Sequence, residues 1–460
     1  MPSPPETAPP SRAAVFFLLA SLVSGLVHLA VTPPFQAPDE AAHFFRAWRV
    51  SEGRLDLRPG SERAWIDVPA GLLRTGEALY GAPPFRAARA ISFDELRRAA
   101  AVPAGAARER VYVPNTLQYT FVPYVPQAAG IALARAFGGS ALGALYAARL
   151  SNLVVASLLI AWAIRRLPAY RWLTAALALT PMAVALRASA SADALALAAA
   201  CSFVAVVVGL AWGSSARGRP DLVLLLAAAA LLCATKAAYV PLLALVLLVP
   251  RDRWPSVVRP RWAWLVAFAA LTTAVTTWVL ATARAVPALR VDAPVDPPRQ
   301  IAHALAHPLD FAGIVIRDYV VHAPRYAAQL VGKLGWLDVP LPLIFLGAYL
   351  ALLAALLVLD GSRGIEVRGW QRWLVGGAAA CCLILVSASQ YALWTPLRAS
   401  VVEGVQGRHL LPIAVTVIWA FHSRRWSDYW PRAVPAATIA GSVVSLLVAA
   451  RALLAHYFRS

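Results

Sequence analysis

The sequence predicts an all-α polytopic membrane protein, and three observations carry that reading. Of its 460 residues 60% are hydrophobic and only 14% charged, with a mean hydropathy of +0.63. A soluble domain is nearer half apolar and a quarter charged. Second, apolar runs near the length of a spanning helix, about 20 residues, recur along most of the chain. Third, the basic residues are nearly all Arg, with only two Lys (Lys236 and Lys333), and they sit between the runs. That is how the positive-inside rule distributes charge. It accounts for the net charge of +19 and the pI near 10.7 without nucleic acid as a partner.

The runs fall at 13–32, 141–164, 171–187, 191–212, 222–235, 237–250, 262–284, 340–359, 371–391, 409–421 and 433–454. They predict about eleven transmembrane helices. The first is too long for a signal-peptide core, so it reads as an uncleaved span. The chain divides into a tail (1–12), the first span (13–34), a long loop (35–140), spans two to seven (141–284), a second long loop (285–339) and the C-terminal spans (340–460).

Charge sets the orientation. With the N-terminus cytoplasmic, one set of segments holds sixteen Arg: Arg12, Arg165, Arg166, Arg171, Arg217, Arg219, Arg251, Arg253, Arg259, Arg261, Arg363, Arg368, Arg372, Arg424, Arg425 and Arg432. The other short segments hold six basic residues: Arg187, Lys236, Arg398, Arg408, Arg451 and Arg459. Both long loops then face away from the cytoplasm. The apolar stretch 119–137 would reverse this if it crossed the membrane, and Pro123 and Pro126 disfavour a straight helix there. It is expected to lie at the interface. The stretch 222–250 is expected as two short helices turning at Lys236.

The four cysteines, Cys201, Cys233, Cys381 and Cys382, lie inside apolar runs and show no metal-type spacing. The first long loop holds ten of the 23 acidic residues and helix-like pieces at 38–52 and 92–101, so a small folded element is expected. Its richest stretch, PFQAPDEAAHFFRAW, comes directly after the first span. Pro38 suits the first position of a helix and acids suit its first turn. Asp39, His43 and Arg46 would then share one face, with Glu40 and His43 as neighbours. A salt-bridged, aromatic-anchored helix start has the same spacing, since charged clusters mark sites only statistically.

Five segments carry a resemblance: APDEAAHFFRAW (37–48), YVPQAAGIALARAFG (124–138), ALTPMAVALRASASADAL (178–195), KLGWLDVPLP (333–342) and QGRHLLP (406–412). In their order the chain resembles the bacterial multi-pass family numbered 2142 among domains of unknown function. That family in turn looks like a branch of the GT-C glycosyltransferases, which take sugar from a polyprenyl-phosphate carrier. The resemblance implies a GT-C-like arrangement in the bacterial cytoplasmic membrane, with interfacial helices in the extracytoplasmic loops. It implies an acid just after the first span, filled by Asp39 and Glu40, and a second acid in the next outer turn, filled by Asp193. Cationic groups near the outer surface, here Arg187, Lys236 and Arg408, would hold the carrier phosphate, with His43 and Arg46 beside them. The expected partners are a polyprenyl-phosphate-linked sugar, an envelope glycan, lipid or protein acceptor, and the bilayer.

The residue types suit that chemistry. Inverting transfer needs a general base for the acceptor hydroxyl, and cations stabilise the leaving phosphate. A helix N-terminus lowers a carboxylate's pKa and weakens it as a base, while burial acts the other way. Each residue also has a structural reading: Asp193 as a first-turn acid in SASADAL, Lys236 and Arg408 as snorkelling cations. No cofactor is required on sequence grounds; Asp39, Glu40 and His43 are compatible with a divalent cation. His303 and His307, with Asp310, have the spacing of a helical metal pair but lack the metalloprotease Glu. Trp336 is expected to anchor the second loop at the interface. Two other functions fit the composition: a transporter or flippase for a lipid-linked saccharide, which would want inverted repeats and broken helices, and a non-catalytic scaffold of envelope-polysaccharide assembly.

Overall fold

The computed structural model describes residues 11–55, 64–87, 89–116, 119–213, 219–250, 253, 289, 293–427 and 429–458. The expected span 262–284 lies outside them. Helices dominate, and among the described residues four strands form two short antiparallel pairs. Among the described residues, five helices are long and apolar enough to cross a membrane: α1 (Arg12–Val31), α6 (Ala141–Arg166), α9 (Asp193–Trp212), α14 (Gly369–Leu393) and α16 (Ala433–Tyr457). Shorter apolar helices cover Pro220–Thr235, Ala237–Leu248, Leu343–Leu359 and Gly407–Phe421.

Helix α9 forms the centre. Nearly all of its side chains are buried, and its many alanines let neighbours come close. It packs on α6, on α10 (Arg219–Thr235) and on α15 (Leu411–Val417). Helices α1 and α6 also touch closely: Ser21 and Ser157 hydrogen-bond at 2.7 Å, and a side chain at Gly25 would collide with Leu153.

The segment between α1 and α6 has its own core. Phe35, Phe44, Phe45, Trp48, Phe85, Tyr119 and Tyr124 are buried together there. Helix α2 (Glu40–Ser51) and α5 (Val125–Ala136) lie against each other and α6. At 12 residues, α5 is too short to cross a bilayer alone. Strands β1 (Trp65–Pro69) and β2 (Arg108–Tyr112) pair with Trp65 opposite Tyr112. Helix α3 (Ala70–Tyr80) continues from β1, and α4 (Phe93–Ala100) begins with a capping box between Ser92 and Glu95.

Four expectations need correction. The run 171–187 is two helices, α7 (Arg171–Ala178) and α8 (Pro181–Arg187), because Thr180 caps a new helix with Pro181 at its first position. The run 237–250 is a 3-10 helix over Ala237–Leu248 that contains Pro241; Pro cannot donate the bond an α-helix needs. Lys236 stands between it and α10 in extended conformation. The second long loop holds α11 (Pro297–Ala306) and a 25-residue α12 (Pro308–Gly332), longer than the short helices expected. Pro308 starts α12, and Pro324 inside does not stop it. Finally, Asp39 is the N-cap residue of α2 and lies outside the helix, at φ 60°, ψ 11°.

After α12 come β3 (Lys333–Leu334) and β4 (Val339–Pro340), paired through a turn containing Trp336. The Trp336 indole donates to the Phe35 carbonyl at 2.9 Å, tying this hairpin to the α1–α2 junction. Helix α13 (Leu343–Leu359) is next and packs on α7 and α16.

Candidate functional site

Asp39, His43, Asp193, Lys236 and Arg408 come together at one end of the bundle, although they are far apart in sequence. Asp39 sits in the left-handed region that non-glycine residues seldom adopt, Asp being among the more tolerant. Its carboxylate does not cap α2. It accepts from Arg408 Nη2 at 2.6 Å and from Asn115 Nδ2 at 3.1 Å. Arg408 Nη1 also lies 3.5 Å from the Pro38 carbonyl, so the guanidinium grips the turn that presents Asp39.

Arg408 reaches a second carboxylate as well, with Nη1 3.6 Å from Asp193 Oδ2. On its other oxygen Asp193 meets Lys236 Nζ at 3.5 Å and accepts from the Tyr119 hydroxyl at 3.1 Å. Two carboxylates thus alternate with two cations. The Lys236 ammonium stands 5.4 Å over the Tyr119 ring, a cation–π distance. Asp193, Lys236 and Arg408 are buried, whereas the Asp39 side chain keeps 32% of its surface exposed. Asp39 is therefore the member of the group most open to solvent.

The scaffold fixes these side chains by backbone contacts. Tyr239, just past Lys236, donates to the His409 carbonyl at 3.0 Å and so couples Lys236 to Arg408. Thr120 donates to the Ala234 carbonyl, holding Tyr119 against the end of α10. Gly407 N donates to Gln329 Oε1 of α12 at 2.8 Å, and a Cβ at Gly407 would lie 2.6 Å from Leu330 N. Only glycine allows the chain before Arg408 to run this close to α12.

His43 completes the wall. Its Nδ1 and the Tyr124 hydroxyl are 2.9 Å apart, and Tyr119 meets its ring edge-on. Burial holds the imidazole down at a pKa of about 4 despite the nearby carboxylates of Asp39 and Asp193, so it is neutral near pH 7. For Asp39 burial raises the pKa, but the Arg408 guanidinium and His43 outweigh it and hold the carboxyl below its ordinary value. Arg46 is buried on the same helix, where its charge bears on Tyr124.

Two expected site residues are elsewhere. Glu40 points away from Asp39 and is fully buried in a two-pronged ion pair with Arg149, at 2.6 and 2.8 Å. Its Oε1 also accepts from Ala190 N at 3.1 Å. Arg149 further donates to the carbonyls of Thr32 and Pro33 at 2.7 and 2.9 Å, just past the end of α1. Glu40 is therefore a structural anchor; adjacency to Asp39 misled because the helix start turns successive side chains apart. Arg187 lies deep in the bundle, its Nε 3.2 Å from Ser21 Oγ and its guanidinium 5.5 Å from the Phe17 ring centre. Ser21 is near the middle of α1. Arg187 ends α8, and residues 188–192 connect it to Asp193 at the start of α9.

The sequence reading missed Arg149, Asn115, Tyr119 and Tyr124. Arg149 had a signal, being the one charge inside the apolar run 141–164. Asp39, Glu40 and His43, compatible in sequence with a divalent cation, do not converge as one group, because Glu40 is committed to Arg149. His303 Nε2 pairs with Asp310 at 3.2 Å, and its Nδ1 lies 3.1 Å from the Tyr391 hydroxyl. Among the described residues no group of three or more His, Cys, Asp or Glu could hold a metal ion.

No curated protein and no solved structure matches the chain. A family model described as "Predicted membrane protein (DUF2142)" matches residues 22–417, a stretch that takes in Asp39, His43, Asp193, Lys236 and Arg408. The chain belongs to this family of predicted membrane proteins.

Proposed function

We propose that the protein is an integral membrane glycosyltransferase of GT-C type, with about eleven spans, in the bacterial cytoplasmic membrane. It moves sugar from a polyprenyl-phosphate carrier to an envelope acceptor on the extracytoplasmic side. The observation that carries this reading is the four-membered charge cluster Asp39–Arg408–Asp193–Lys236, with the strained, partly exposed Asp39 at its rim. Backbone strain at a charged rim residue points to function in a way that an ordinary surface ion pair does not.

In this reading Asp39 takes the proton of the acceptor hydroxyl. The hydroxyl oxygen attacks the anomeric carbon, and the bond from that carbon to the phosphate oxygen breaks. The phosphate leaves with the electron pair toward Arg408 and Lys236. Arg serves as a fork for phosphate and Lys as a point charge. Arg408 also explains how a carboxylate with a lowered pKa becomes a base. A phosphate that draws the guanidinium away from Asp39 removes the interaction that holds its proton affinity down. Asp193 keeps both cations in place and stays paired throughout.

The test is complementation of a deletion strain with wild type or Asp39→Asn at matched membrane levels, reading the envelope glycans. Asn tolerates the left-handed conformation, so the variant folds. Wild type restores the missing sugar and Asp39→Asn does not; full restoration by both would remove Asp39 from the chemistry. A lipid-saccharide transporter is the second reading, favoured by the broken α7–α8 helix. In proteoliposomes it would move labelled lipid-saccharide without forming a glycosidic bond.

A further inference from the structure

Helix α1 buries a face that is not simply apolar. Phe17, Ser21, Ser24 and His28 are buried and recur at spacings of three and four, one helical face. Val15, Leu19 and Val23, by contrast, are exposed. Helix α1 packs on α6, α7 and α8. Arg187, the last residue of α8, lays its side chain against the buried face with none of its own surface exposed.

A guanidinium carries N–H donors on all three nitrogens. Here only Nε is used: it donates to Ser21 Oγ at 3.2 Å, and Ser21 Oγ lies 2.7 Å from Ser157 Oγ of α6. Nη1 and Nη2 are buried and make no hydrogen bond among the described residues. No carboxylate there pairs with Arg187, and its neighbours are neutral. The Phe17 ring, 5.5 Å away, offers a cation–π face, which is less than a counter-ion. Cys201 of α9 lies within electrostatic reach, and a buried free thiol behaves as a small hydrophobe. His28 is within reach as well. Its Nδ1 donates to the Ser24 carbonyl at 2.9 Å, so the neutral ring has a lone pair at Nε2 and no negative charge to give. Buried charges in folded proteins are paired, because an unpaired one is costly. Arg149, in the same bundle, has Glu40. Arg187 has the donors of such a pair and lacks the acid.

We propose that Nη1 and Nη2 of Arg187 bind a small inorganic anion of chloride size where α1, α6, α8 and α9 meet. The ion supplies the missing charge and accepts from the fork of the guanidinium. It joins α8 to α1 and α6 from within, as the Glu40 carboxylate does for Arg149. Enclosure sets the size limit: Arg187 has no exposed surface, so a phosphate ester is too large to enter. The site is thus separate from the Asp39–Arg408 cluster and stands whether or not sugar transfer occurs there.

The test uses the purified full chain in detergent at fixed sodium concentration, with chloride exchanged for gluconate, an anion too large for an enclosed site. Wild type binds radioactive chloride at a single site per chain, and its melting temperature rises saturably with chloride. Bromide competes for the site and inorganic phosphate does not. Arg187→Gln weakens chloride binding at least tenfold, the loss of charge-assisted hydrogen bonds, and its melting temperature no longer responds to chloride. In gluconate the Gln variant melts at or above wild type, because the unpaired charge is gone. An arginine with a purely structural role would instead make the variant melt lower in both salts. Arg187→Lys, which keeps the charge as a point and loses the fork, binds chloride more weakly than wild type and tests the site even where the Gln variant does not accumulate. Absence of bound chloride in wild type overturns the site. Undiminished binding in the Lys and Gln variants moves the ion elsewhere and overturns it too, and displacement by inorganic phosphate overturns the size limit.

Discussion

Glu40→Gln separates a structural acid from a chemical one beside it. Glu40 and Arg149 have no exposed side-chain surface and are joined at 2.6 and 2.8 Å. Removing the negative charge leaves the Arg149 guanidinium buried with only neutral partners, the Gln amide and the Thr32 and Pro33 carbonyls among them. Breaking a buried pair by neutralising one partner costs about 3–5 kcal/mol. For a chain of this size that is a fall in melting temperature on the order of 5–10 °C. The assay is thermal unfolding of the purified protein in one detergent, with Asp39→Asn as the reference. Asp39 is partly exposed, and its loss leaves Arg408 still facing Asp193, so it should melt within a few degrees of wild type. The double variant Glu40→Gln/Arg149→Met should recover part of the loss. Recovery is incomplete because Arg149 also satisfies the Thr32 and Pro33 carbonyls. A Glu40→Gln protein that melts like wild type yet loses activity would refute the reasoning and return Glu40 to the site.

The same geometry sets further outcomes. Gly407→Ala places a carbon 2.6 Å from Leu330 N and closer still to the Tyr326 carbonyl, so α12 or the Arg408 segment must shift; activity should fall at least tenfold with normal membrane levels, and wild-type activity would show that the close approach is dispensable. Because the folded His43 pKa, about 4, lies below the unfolded value of 6.5, the unfolded chain takes up the proton first, and stability declines as pH falls between those values; at about 1.4 kcal/mol per pKa unit the loss is on the order of 3 kcal/mol, and His43→Gln should flatten that part of a melting-versus-pH profile. Asp39, held below its ordinary value by Arg408, acts lower on the scale, its contribution present above about pH 4 and lost below, as the same profile on Asp39→Asn would show. Ser92→Ala removes the α4 capping box and should cost about 1 kcal/mol in unfolding assays without changing activity, and a loss of activity would tie α4 to the site.

The parts of the fold that stem from local chemistry were readable from sequence. Apolar length located α1, α6, α9, α14 and α16, and the proline pair at 123 and 126 marked 119–137 as something other than a straight span. The break at Thr180–Pro181 was also written in the sequence, but continuous apolarity masked it. The site was legible as residue types and not as an arrangement. Asp39 and Glu40 look equivalent in the chain; only the position of Arg149, on a helix more than a hundred residues later, tells them apart. Arg187 looked like a surface cation because an apolar run carries no information about depth once a helix is broken.

The 3-10 winding of Ala237–Leu248 has a consequence for length. Twelve residues coiled as an α-helix extend about 18 Å, too little for a hydrocarbon layer of about 30 Å. With the tighter 3-10 pitch they extend about 24 Å. Measured against such a layer, the 3-10 winding closes about half of the difference in length without adding residues. Lys236 rides on one end of this stretched coil. Relaxation to the α pitch would draw the ammonium about 6 Å toward Val249, away from Asp193, so the winding of this segment sets the reach of Lys236 to its partner.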